Sequence, residues 1–105
     1  MSWIILFLAG LFETAWAVGL KYSEGFTRFL PSVFTAVAMI LSVVLLGIAM
    51  RTIQLGAAYA VWTGIGTAGA VAAGALLFGD SVSVLRIASV ALIVMGIIGV
   101  KLSAS

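Results

Sequence analysis

The sequence predicts an all-α membrane protein, and three observations carry that prediction. Of 105 residues, 65% are hydrophobic and only 8% charged, against roughly 45–50% apolar and about 25% charged in a soluble domain. Apolar runs near the 20 residues that a helix needs to cross about 30 Å of hydrocarbon recur along the whole chain. Both faces of every run are apolar, which rules out the alternation of a β-barrel, so backbone groups must pair within helices. The expected unit is a single four-helix transmembrane domain over residues 1–105, with spans at about 2–20, 30–50, 53–78 and 84–100.

The first span, 2–20, is anchored by Trp3 at one end and Tyr22 beyond the other, where amphipathic rings settle at membrane interfaces. Its one charge is Glu13. A carboxylate at the centre of a bilayer costs about 2.5–3.5 kcal/mol on insertion scales, so an acid there implies a functional role. Ile4–Leu11 followed by Ala15-Trp16-Ala17 has the outline of a secretory leader. The absence of a positive charge before the run and the acid inside it argue against cleavage.

The second span, 30–50, carries Ser42 at a depth expected to match that of Glu13, where its hydroxyl would meet the acid. The third, 53–78, contains Gly64-Ile-Gly66-Thr-Ala-Gly69, which satisfies G-x-G-x-x-G. A dinucleotide reading needs a preceding strand and a soluble βαβ unit, neither of which fits inside a membrane span. Small residues three and four apart instead let helices approach closely, so Gly64, Gly66, Gly69 and Gly74 are read as packing or hinge positions. In the fourth span, 84–100, the uncharged run is only Ile87–Val100, and Arg86 must reach back to the interface. Ser89, Gly96 and Gly99 form a second small-residue seam there, assigned to contact between subunits.

Three aromatic residues lie deep. Trp16 is one helical turn from Glu13, and Tyr59 and Trp62 are i, i+3 neighbours. Ring faces attract cations by about 0.5–2 kcal/mol, so together with Glu13 and Ser42 these residues make a candidate cation site. With no cysteine and no histidine, disulfides, thiol chemistry and the usual transition-metal ligands are absent. Four short spans leave no room for an enzyme domain, and no cofactor is expected beyond a proton gradient. Five basic residues spread over the interfaces make no nucleic-acid patch; they suit lipid head groups.

Charge also bears on topology. Arg51 and Lys101 fall on one side of the membrane, and Lys21, Arg28 and Arg86 on the other. A difference of one barely orients a protein through the positive-inside rule. The expectation is therefore an antiparallel homodimer built from both orientations, which makes an inverted-repeat architecture from one kind of chain.

The segments Glu13-x-x-Trp16-Ala, Leu20-Lys21-Tyr-Ser-x-Gly25-Phe-Thr-Arg28 and Ala58-Tyr-Ala-Val-Trp62-Thr-Gly-Ile-Gly66 resemble the small multidrug resistance family over essentially the whole chain. The second and third are more similar to its guanidinium exporter branch than to the quaternary ammonium exporters. The resemblance implies a four-helix subunit, an antiparallel dual-topology dimer and exchange of protons for a cation at Glu13, surrounded by Trp16, Ser42, Tyr59 and Trp62. It also implies a bacterial inner membrane. Two departures stand out: Ile53-Gln54-Leu55-Gly56-Ala57 lacks the Pro and Thr usual in the branch, and Asp80 stands where Glu is usual. They bear on gating and substrate range.

Competition of proton and cation for paired Glu13 carboxylates in a cavity open to one side at a time amounts to antiport. Guanidinium fits such a pair through parallel hydrogen bonds. The alternatives are a promiscuous exporter of quaternary ammonium and other hydrophobic cations, a non-transporting assembly partner, and one subunit of an obligate heterodimer.

Overall fold

A computed structural model describes residues 1–104 as four helices: α1 (Ser2–Tyr22), α2 (Phe29–Ala49), α3 (Leu55–Leu77) and α4 (Val84–Ala104). All four are long and apolar enough to cross a membrane, and the described residues contain no strand. Two ranges differ from the sequence reading. The third helix starts only at Leu55, because residues 51–53 turn and Gln54 is extended. The fourth runs past Lys101, whose long side chain lets a helix end project through the interface.

Helices α1, α2 and α3 pack together, whereas the backbone of α4 packs against α3 alone. On α2 the buried residues are Thr35, Ala38, Ser42, Leu46 and Ala49. That spacing of three and four is one helical stripe, and it meets α1 at Ala9, whose carbonyl accepts from Ser42, and at Gly19, which lies against Thr35. Two glycines of α1 set how closely its two neighbours approach, one toward α3 and one toward α2. A Cβ at Gly10 would lie 2.6 Å from Ile65 of α3, and one at Gly19 would lie 2.8 Å from the Phe34 ring of α2. On α4 no residue is buried among those whose burial is described; its half-buried Val90, Ile93, Ile97 and Val100 make the stripe that faces α3.

The links are short and internally bonded. Between α1 and α2, Glu24, Gly25 and Phe26 take φ values of 49°, 73° and 69°, a left-handed stretch costly for the two non-glycine residues. The fully buried Ser23 holds it. Its hydroxyl donates to the Leu20 carbonyl (2.7 Å) and accepts the Phe26 N–H (3.1 Å). Its carbonyl accepts the N–H groups of Thr27 (2.9 Å) and Arg28 (3.1 Å). The Lys-Tyr-Ser-x-Gly-Phe-Thr-Arg motif is thus a self-bonded turn.

Aromatic and polar contacts tie helices together at both ends. Lys21 and Tyr22 sit on the ring of Phe78, with Nζ 5.7 Å from its centroid and the two rings 4.9 Å apart. At the opposite end Lys101 lies 5.2 Å above the Trp3 ring, and the Ser2 and Thr52 hydroxyls are hydrogen-bonded.

Candidate functional site

Glu13 is the twelfth of 21 residues in α1 and faces α3. It lies against Gly66: a Cβ at that position would lie 2.7 Å from Oε1 and 2.8 Å from Cγ of Glu13. One turn further along α3, a Cβ at Gly69 would collide with the Thr14 hydroxyl. Thr14 Oγ1 instead donates to the Gly10 carbonyl (3.3 Å) and approaches that of Gly66 (3.5 Å). Two of the small residues read as a packing seam therefore make room for polar side chains. Gly64 is different, since it seats Ile97 of α4.

The carboxylate opens into a cleft of about 330 Å³ between α1, α3 and the start of α4. Trp16 and Thr67 line it beside Glu13, and Asp80 and Arg86 also reach it. Two buried polar atoms around Glu13 lack any hydrogen-bond partner among the described residues: Oε2 of Glu13 and Nε1 of Trp16. Buried polar atoms are ordinarily paired, so an acceptor oxygen and a donor nitrogen one helical turn apart leave this region chemically unsaturated.

Ser42, Trp62 and Tyr59 form a separate group. Ser42 is buried and donates to the Ala9 carbonyl (2.8 Å) while accepting from Trp62 Nε1 (2.9 Å). It thus joins α1, α2 and α3, but its bond goes to the backbone one turn below Glu13 rather than to the acid. By helical pairing, Ala9 is also the residue whose carbonyl accepts the N–H of Glu13, so Ser42 fixes the turn that carries the carboxylate. Tyr59 is 53% exposed and its ring lies 5.5 Å from that of Trp62. Neither ring lines the Glu13 cleft of the single chain.

Gly96 and Gly99 have nothing within 4 Å of a Cβ, and Ser89 is exposed, its hydroxyl bonded to Leu85 of its own helix (2.8 Å). All three avoid the stripe that faces α3. Among the described residues no three His, Cys, Asp or Glu side chains gather as a metal site.

Sequence reasoning missed Asp80 and Arg86 as cleft residues. The available signal was Phe78-Gly79-Asp80: a glycine just past a helix end commonly turns left-handed and reverses the chain. Gly79 does so with φ 67°, and the Asp80 N–H bonds back to the Gly74 carbonyl (3.1 Å).

A family model described as Small Multidrug Resistance protein matches residues 1–93. The chain is 60% identical over 103 residues to the guanidinium exporter of Escherichia coli strain K12, and 59% identical over 103 residues to those of Citrobacter freundii and Salmonella typhimurium. Each alignment covers 98% of both chains.

Proposed function

This chain belongs to the small multidrug resistance family, and from that membership we propose that it exports guanidinium or small guanidinyl cations in exchange for protons. It is a transporter rather than an enzyme, and a multi-pass protein of the bacterial inner membrane. The observation that carries the proposal is the buried, unpartnered oxygen of Glu13 beside a cleft at mid-span. An ionised carboxylate there is relieved in one of two ways, by a proton or by a cation, and one oxygen pair cannot take both. Binding either expels the other, and a cleft that opens to one side at a time turns that competition into exchange.

Guanidinium suits this cleft for three reasons. Its planar fork donates two parallel hydrogen bonds to a carboxylate. It is more weakly hydrated than an ammonium ion, so entering the cleft strips less water. A cleft of about 330 Å³ sits at the small end of ligand pockets, roughly 300–1,000 Å³, and the ring of Trp16 supplies a face for the flat cation.

The working unit in this reading is an antiparallel homodimer. Its support is the near-equal split of basic residues, with Arg51 and Lys101 at one end of the bundle and Lys21, Arg28 and Arg86 at the other. Two inverted copies bring two Glu13 carboxylates to one central cavity. The pair then titrates as a unit, and Tyr59 and Trp62 of both copies become available to its walls.

Reconstitution in liposomes tests this directly. Guanidinium added outside is expected to evoke proton-coupled currents that Glu13→Gln abolishes, and the half-saturating concentration should rise as pH falls. Equal currents with tetramethylammonium would replace the selective reading with a promiscuous exporter. Silence of folded wild-type protein with every cation would defeat it.

A further inference from the structure

Two of the three acidic residues of this chain line one cleft. Glu13 sits at its depth, and Asp80, from the link between α3 and α4, is at its other end beside Arg86. The third acid, Glu24, lies in the turn after α1. Asp80 is exposed, and its carboxylate has no hydrogen bond or ion pair among the described residues. Two cations lie near it without forming an ion pair with it. Arg86 shares the cleft but gives its Nη1 to the Ser81 carbonyl (2.9 Å). Lys21 shares with Asp80 a smaller adjoining pocket of about 140 Å³ but directs its ammonium to the Phe78 ring.

The backbone fixes Asp80 in this place. Gly79 turns left-handed, the Asp80 N–H bonds the Gly74 carbonyl, and the carboxylate lies where any Cβ on the buried Gly74 would have to be. An acid folded back onto the end of α3 and left without a direct ion-pair partner is unlike a solvated loop acid, which would point away from the bundle.

We propose that Asp80 is an outer cation station of the Glu13 cleft, which gathers the incoming cation at the membrane interface and passes it inward to Glu13. The inference rests on the cation-export reading above. A fixed negative charge at a mouth with low-dielectric walls raises the local cation concentration and the rate of entry. It does so without holding the cation at the depth where protons compete. Asp80 therefore acts on capture, and Glu13 on exchange.

The test compares wild type, Asp80→Asn and Asp80→Glu in liposomes, with guanidinium titrated at low and high ionic strength. Asp80→Asn is expected to raise the half-saturating concentration about tenfold at low salt while the saturating current changes less than twofold. The shift should shrink at high salt, where the Debye length falls to about 3 Å at 1 M. Asp80→Glu, which keeps the charge, is expected to restore the wild-type value. An unchanged half-saturation in Asp80→Asn at low salt overturns the proposal. So does a loss of current as complete as that of Glu13→Gln, or a shift that Asp80→Glu shares or that salt leaves alone. Each of these outcomes presupposes wild-type current, so they are distinct from a silent wild type, which defeats the export reading itself.

Discussion

Gly66 and Gly96 are the same residue in two apolar helices of one bundle, and they answer to different neighbours. A Cβ on Gly66 would strike the Glu13 carboxyl group, whereas a Cβ on Gly96 would meet nothing within 4 Å. The inner face of α3 is shaped by the chain's own acid. The outer face of α4 sets Ser89, Gly96 and Gly99 among exposed Leu85, Leu92 and Met95, and the helix backbone packs against α3 alone with no residue buried among those described, so this is the face at which the proposed dimer would make contact. In lipid, where no hydrophobic force drives helices together, close approach at small residues is what makes such a contact favourable.

The comparison breaks most visibly at Gly66. Gly66→Ala is expected to push the Glu13 carboxyl off its position and cut guanidinium current by about a hundredfold, the scale of loss from ångström misplacement of a reacting group. Expression and helical content, read by circular dichroism, should hold. At Gly96 the expectation is reversed. Gly96→Leu leaves the subunit folded but lowers the fraction of protein that chemical crosslinking captures as dimer; a dimer yield equal to wild type would show that this face contacts lipid alone.

A smaller effect sharpens the inner side. Ser42→Ala removes the acceptor of Trp62 Nε1 and the donor to the Ala9 carbonyl. Interhelical hydrogen bonds in membranes average about 0.6 kcal/mol, but a buried donor left unpaired costs about 1–3 kcal/mol. Stability in detergent is therefore expected to fall by about 1 kcal/mol, read as a lower Tm. On the outer side Ser89→Ala removes only a bond to its own helix, and both Tm and dimer yield should stay within the ±0.5 kcal/mol typical of surface changes.

The sequence made depth along each helix legible, because a residue's place in an apolar run converts to height at 1.5 Å per residue. Four spans and a mid-span Glu13 followed from that alone. Direction around the helix was not legible. In water the apolar stripe of a helix marks its inner face, but here lipid-facing and protein-facing sides are equally apolar, so nothing told Gly66 from Gly64 or turned Ser42 toward Ala9 rather than Glu13. Asp80 escaped for another reason: its approach depends on the left-handed turn at Gly79, which reverses the chain in three dimensions while the sequence reads on in one.

The Ser23 turn has a consequence in time. All of its hydrogen bonds fall within residues 19–28, and contacts so local form early, while the chain is still being made from its N-terminus. The first two helices can thus pair as a hairpin before α3 has left the ribosome, and the Glu13 face of α1 is completed only when Gly66 arrives.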